Sequence, residues 1–170
     1  TGFSNGGMLT YRFAAERGDM LAAAAALGAS AGGKASDKAP AWQIPEPAAV
    51  LPLLSIHGLV DDFVPFSGGR SPARGGERSY LPVPESLQIF IDRNRCSRQT
   101  ETEGLCGGRV HRTVWDDEHG GAPVVLYRIE GWGHVWPGRH FTETMPEGKG
   151  LEEFDAAEIV WAFFKQHRRP

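Results

Sequence analysis

Cysteine, excess positive charge and long apolar runs are all scarce in this chain, and each scarcity closes off a class of protein. Only 2 of its 170 residues are cysteine, Cys96 and Cys106. A tetrahedral zinc site draws four N, S or O ligands from paired clusters, and the nearest histidine, His111, has no matching partner pair. No metal and no cofactor is therefore expected. One local disulfide, which would suit an exported protein, and two free thiols both remain open. The formal net charge is -3, without the strongly basic face that a nucleic-acid partner requires. No apolar run approaches the roughly 20 residues that span a bilayer. The longest, Met20–Ala29, is mostly alanine. Internal repeats and low-complexity tracts are also lacking. What is present suits a globular unit: 41% hydrophobic residues can bury a core as one domain. The 22 glycines and 12 prolines imply many ordered loops, where functional residues often sit.

Asn5 to about Arg17 reads as a helix, with Leu9 and Phe13 four apart and Met8 and Tyr11 three apart, stopped at Gly18-Asp19. Met20–Leu27 reads as a buried parallel strand, its alanines leaving a helix as the alternative. Ser30–Ala49 reads as a long loop and Val50–His57 as a second buried strand. Phe66–Leu81 reads as a surface loop whose Arg70, Arg74 and Arg78 either meet a carboxylate or are simply solvated. Pro84–Arg95 reads as a helix with Leu87, Phe90 and Ile91 on one face. Val110–Trp115 and Pro123–Ile129 read as strands, joined by a turn over Asp116–Gly121 whose acidic residues lack the spacing of a calcium loop. Gly138–Gly150 is another loop. A last helix is expected over about Glu152–His167, with Ala157, Val160, Trp161 and Phe164 as its buried stripe. Its acidic start (Glu152, Glu153, Asp155, Glu158) and basic end (Lys165, Arg168, Arg169) match the helix dipole. Strands alternating with helices predict an α/β fold, a mostly parallel sheet flanked by helices.

Gly2-Phe3-Ser4-Asn5-Gly6 fits the G-x-S-x-G pattern of a nucleophile elbow, the strand-to-helix turn that presents a serine above an α/β-hydrolase sheet. In that fold the elbow lies near mid-domain. Residues 1–170 are thus expected to be the C-terminal half of a single α/β-hydrolase domain, its N-terminal half preceding Thr1. The missing front also leaves export open, although no signal-peptide pattern is present. A serine hydroxyl needs a base to take its proton and a third group to orient that base. The fold orders them Ser, acid, His. Here Ser4 is followed by Asp61, at the end of the second strand in HGLVDDFVP, and by His134, after the last strand in GWGHVWPG. Both fall just past the C-terminal ends of strands, the edge where parallel sheets bind ligands. Ser4 is the candidate nucleophile, His134 the base and Asp61, rather than Asp62, the acid. The backbone N–H of Asn5 is the candidate oxyanion donor. Trp132 and Trp136 flank His134 and form either an apolar wall for substrate or packing beneath the loop. His57 reads as a structural hydrogen bonder near the site. His111, His119, His140 and His167 receive no role.

Several stretches carry a family resemblance: GFSNGGMLTYRFAAE (Gly2–Glu16), IHGLVDDFVPFSGG (Ile56–Gly69), VPESLQIFIDRNRC (Val83–Cys96), VVLYRIEGWGHVWPG (Val124–Gly138) and FDAAEIVWAFFKQH (Phe154–His167). Together they make the chain resemble the C-terminal half of poly(3-hydroxybutyrate) depolymerase-like esterases, relatives of feruloyl and acetylxylan esterases. G-H-x-W-P-G is the most discriminating stretch; the serine and H-G-x-x-D-x-x-V-P stretches are shared with oligopeptidase-type enzymes. The resemblance implies Ser4, Asp61 and His134 as the triad and carboxylic esters of polymers, feruloyl groups or acetyl groups as substrates. It also implies an extracellular or periplasmic location. An oligopeptidase-type peptidase and a non-catalytic fragment or binding module are the alternative readings.

Overall fold

Two apolar runs, AAAL at 24–27 and LLSIHG at 53–58, are buried along their whole length. Strands buried on both faces belong in the middle of a sheet covered on each side, and that is where both lie. The computed structural model describes residues 1–119 and 121–168, the side chain of Glu103 excepted. In chain order the elements are β1 (Gly2–Phe3), α1 (Asn5–Arg17), β2 (Ala24–Leu27), β3 (Gly32–Lys34), β4 (Ala41–Gln43), β5 (Leu53–Gly58), β6 (Gly69–Arg70) and β7 (Ser79–Tyr80). They continue with α2 (Val83–Asn94), β8 (Arg98–Leu105), β9 (Val110–Asp116), β10 (Val124–Ile129), α3 (Arg139–Thr144) and α4 (Ala156–Gln166). The main sheet runs β1-β2-β5-β10-β9-β8. β1, β2, β5 and β10 pair in parallel, whereas β9 and β8 add antiparallel. The result is an α/β architecture: a mixed, mostly parallel sheet with flanking helices.

Alternation along the strands builds the two faces. Ala24, Ala26, Leu53, Val124 and Leu126 pack with Tyr11, Ala14 and Ala15 of α1 and Leu87, Phe90 and Ile91 of α2. Ala25, Leu27, Leu54, Ile56 and Val125 pack on the other face with Ala156, Val160 and Phe163 of α4. On the first face the Tyr11 hydroxyl reaches Ser55 Oγ at 3.2 Å, and burial pushes its pKa up to about 12. It therefore stays a neutral hydrogen-bonding group at physiological pH.

Several expected elements take a different form. The loop over Ser30–Ala49 contains β3 and β4, and the loop over Phe66–Leu81 contains β6 and β7; these make a second sheet, β4-β3-β7-β6. Their strands are only 2 or 3 residues long, too short for an apolar alternation to mark them. The 138–150 loop holds α3 and a 3₁₀ turn over Pro146–Gly148. The run at 20–27 is a strand only from Ala24, and a 3₁₀ turn covers Gly18–Met20. α4 buries Ala156, Val160 and Phe163, whereas Ala157 is exposed and Trp161 is 62% exposed. The buried face thus keeps Val160, takes Ala156 and Phe163 in place of Ala157 and Trp161, and leaves Phe164 half-buried. Asp155 caps this helix, its carboxylate accepting from the Ala157 and Glu158 N–H groups. Of the basic residues expected at its end, Arg169 lies outside the described residues, as does Gly120 of the 116–121 turn.

Candidate active site

β1, β5 and β10 run in the same direction, so their C-terminal ends open on one rim of the sheet. Ser4 follows β1 directly and heads α1, with φ 55° and ψ -121°. Few residues other than glycine adopt a positive φ, and the strain must be held by neighbours. Here the Ser4 N–H donates to the Leu27 carbonyl (2.9 Å) and the Ser4 carbonyl accepts from Met8 N–H (3.0 Å). Gly2 makes the turn sterically possible: a Cβ there would sit 2.3 Å from the Gly6 carbonyl carbon. Gly6, the other glycine of the motif, has open space at its own Cβ position. Gly7 is the second tight position, since a Cβ there would sit 2.6 Å from that of Ala29.

The other two groups arrive through loops tied to one another. The Val60 N–H donates to the Trp132 carbonyl (3.2 Å) and the Leu59 N–H to the Ile129 carbonyl (2.9 Å). The Trp132 backbone passes so close to Gly58 that a Cβ at 58 would lie 2.1 Å from the Trp132 oxygen. A glycine at the end of β5 therefore lets the histidine loop cross the acid loop.

The three side chains form one hydrogen-bonded line. His134 Nε2 is 2.9 Å from Ser4 Oγ, and His134 Nδ1 is 2.7 Å from Asp61 Oδ2. An ionised carboxylate can only accept, so Nδ1 carries the proton. Nε2 of the neutral ring is then bare and accepts the Ser4 hydroxyl hydrogen. Asp61 is buried, and its Oδ1 accepts from the N–H groups of Phe63 (3.0 Å) and Val64 (2.8 Å). The neighbouring Asp62 is exposed. Asn5 opens α1, and its N–H has no backbone partner among the described residues, as is usual for a first-turn donor. It is available to an anion above Ser4.

His57 stands behind the acid. Its Nε2 lies 2.9 Å from the Val64 carbonyl and 3.5 Å from Asp61 Oδ2, which makes Nε2 the protonated nitrogen. Its Nδ1 is buried with no hydrogen-bond partner among the described residues. Burial drives its pKa below the ordinary histidine value, against the opposing pull of the Val64 carbonyl and Asp61. A neutral His57 thus leaves the Asp61 charge to His134.

Two phenylalanines complete the surroundings. Phe3 lies 4.8 Å and Phe63 5.1 Å from the His134 ring, the latter stacked at 23°. Sequence reasoning missed both. The available signals were the x position of G-x-S-x-G and an aromatic two residues after the acid. Of the two readings open for the tryptophans, wall or packing, Trp132 takes the second. Trp132 is buried, and its indole N–H donates to the Val135 carbonyl (2.8 Å). It packs beneath the loop and offers no face to a substrate. Trp136 is half-buried and meets Phe3 edge-on at 6.3 Å. Cys96 and Cys106 are free thiols, both with pKa raised by burial, and pack against opposite faces of the sheet. Among the described residues, no group of three His, Cys, Asp or Glu side chains is placed to hold a metal ion. No helix there is long and apolar enough to cross a membrane.

The chain is 31% identical over 158 residues to the protein named "Putative esterase NocK" from Nocardia uniformis subsp. tsuyamanensis. The match takes in 82% of this chain and 42% of that relative, so the chain spans less than half the length of the curated relative it matches. It supports an esterase-like relationship. No family model matches the chain.

Proposed function

We propose that the protein is a serine esterase of the α/β-hydrolase type, and that these residues form the C-terminal half of its catalytic domain. The observation that carries this reading is the Ser4–His134–Asp61 line, with contacts of 2.9 and 2.7 Å. The strained serine at a strand-to-helix turn and the likeness to an esterase-named relative support it further.

In the proposed reaction, Ser4 Oγ attacks the ester carbonyl carbon while His134 Nε2 takes its proton. The tetrahedral oxyanion is met by the Asn5 N–H and by a second donor from the preceding part of the domain. A missing donor costs about 3 kcal/mol, or a hundredfold or more in rate. Imidazolium then protonates the departing alkoxide, leaving Ser4 acylated. His134 next activates a water, whose attack releases the acid and regenerates the hydroxyl. Asp61 holds Nδ1–H throughout and stabilises the charged ring. Hydroxyalkanoate, feruloyl and acetyl esters are the proposed substrate class. Because polymer and plant-wall esters lie outside the cell, the same reading places the protein in an exported compartment.

Replacement of Ser4 by alanine in the full-length protein tests this reading. Turnover of 4-nitrophenyl esters should fall by roughly 10⁶-fold with the fold intact. Retention of a tenth of the parent rate would refute Ser4 as the nucleophile.

A further inference from the structure

Directly beside the site, the turn over residues 71–76 hangs from the acid loop. The Asp62 carbonyl accepts from the Ala73 N–H and from the Ser71 hydroxyl, each at 3.1 Å. Ser71 is buried, and its own carbonyl accepts from the N–H groups of Arg74 (3.2 Å) and Gly76 (2.9 Å). The turn is therefore anchored one residue past Asp61, and it carries the exposed side chain of Arg74. The guanidinium carbon of Arg74 lies 5.5 Å from the centre of the Phe63 ring, which itself stacks on His134. A cation is thus held one aromatic ring away from the imidazole.

Arg70 and Arg74 of this segment are not equivalent. Arg70 is paired with Asp37 at 2.8 Å and also donates to the Gly76 carbonyl. Arg74 makes no ion pair and no side-chain hydrogen bond with any described residue; the Phe63 ring is its partner. Even the exposed carboxylate of Asp62, on the residue that anchors the turn, forms no salt bridge with it. A guanidinium on a ring face keeps its donor edge free, and that edge matches a carboxylate with two parallel hydrogen bonds.

We infer that Arg74 receives a carboxylate borne by the substrate, so that the preferred esters are anionic, with an acid group several carbon atoms from the scissile carbonyl. Phe63 is the apolar spacer between the two ends. This inference rests on the serine-hydrolase reading of Ser4, Asp61 and His134, and it deepens that reading by naming the substrate's charge.

The test compares kcat/KM in the full-length protein for two sets of 4-nitrophenyl esters. One set comprises the monoesters of succinic, glutaric, adipic and suberic acids; the other comprises neutral alkanoate esters of matching length. The parent should prefer at least one monoester over its neutral match, and added salt should erode that preference. Arg74→Gln should lower the charged-to-neutral ratio about tenfold and remove its salt dependence. Arg74→Lys should keep part of the ratio, and Arg74→Glu should invert it. These ratios are internal to each variant, so a general loss of folded protein does not imitate them. Equal ratios in the parent and Arg74→Gln at every chain length would overturn the inference while leaving the esterase reading standing. Failure of the parent to cleave any ester of either set would overturn both.

Discussion

The four parallel strands and the two antiparallel strands beside them share one sheet but are held in different ways. At the rim above β1, β2, β5 and β10, the chain leaving one strand is pinned to a neighbour by backbone hydrogen bonds. Ser4 binds Leu27, Gly28 binds Ile56, Leu59 binds Ile129, and Val60 binds Trp132. Across β8, β9 and β10 the side-chain links include three exposed pairs: Arg98 with Asp116 (2.8 Å), Trp115 with Gln99 (2.9 Å) and Arg128 with Glu101. Surface ion pairs are screened by salt and contribute little stability. Backbone bonds and close backbone passes do not depend on side-chain charge and are not easily replaced. The rim bonds fix where Ser4, Asp61 and His134 converge, whereas the exposed side-chain pairs add little to the backbone ladder that already joins β8, β9 and β10.

Perturbing each region in turn sharpens that contrast. In the full-length protein, His134→Ala should lower kcat on an aryl ester by roughly 10⁶-fold, as loss of a triad member does when the group acts as a unit. Asp61→Asn should cost about 10⁴-fold, because an amide in place of the carboxylate favours the wrong imidazole tautomer. Steady-state kinetics with circular dichroism on both variants check these values. Gly58→Ala forces a methyl group against the Trp132 carbonyl, 2.1 Å away. It should destabilise by about 1–3 kcal/mol and lower kcat by about a hundredfold through the displaced histidine. Urea unfolding and kinetics read the two effects separately.

His57 supplies a smaller, pH-dependent effect. Its folded pKa is depressed below the ordinary 6.5 by burial, so the unfolded chain takes up the proton first as pH falls. Its contribution to stability is complete above the ordinary value and is lost as pH drops from there through the folded pKa. Urea midpoints measured above and below pH 6.5 should fall less with acidification in His57→Gln than in the parent. Smallest of all, Arg98→Ala at the exposed edge should leave the thermal midpoint within error of the parent. A large drop there would erase the contrast between the two regions.

The parts legible in the sequence are those where one local signal suffices. The buried runs at 24–27 and 53–58 stand out by hydrophobicity. Ser4, Asp61 and His134 stand out because strand ends, glycine pairs and chain order coincide on them. β8 carried no such signal: its residues RQTETEGL are almost all polar, and hydrogen bonding to β9 alone makes it a strand. Trp132 stayed undecided because a tryptophan beside a candidate base reads equally as a substrate wall or as packing, and its burial and its bond to Val135 favour packing. Trp161 misled, since its spacing from Val160 and Ala157 does not reveal which side of α4 meets the sheet. The Phe3–His134–Phe63 cluster was illegible because its members are far apart in the chain, and only the rim brings them together.

The central claim is that Ser4 is a nucleophile activated by His134, and a fluorophosphonate probe measures this directly. Such a reagent phosphonylates only an activated serine, and peptide mass spectrometry locates the adduct. The full-length protein should take up one equivalent on the peptide containing Ser4, and His134→Ala should take up none. Labelling at another residue, or no labelling of folded parent protein, would contradict the account.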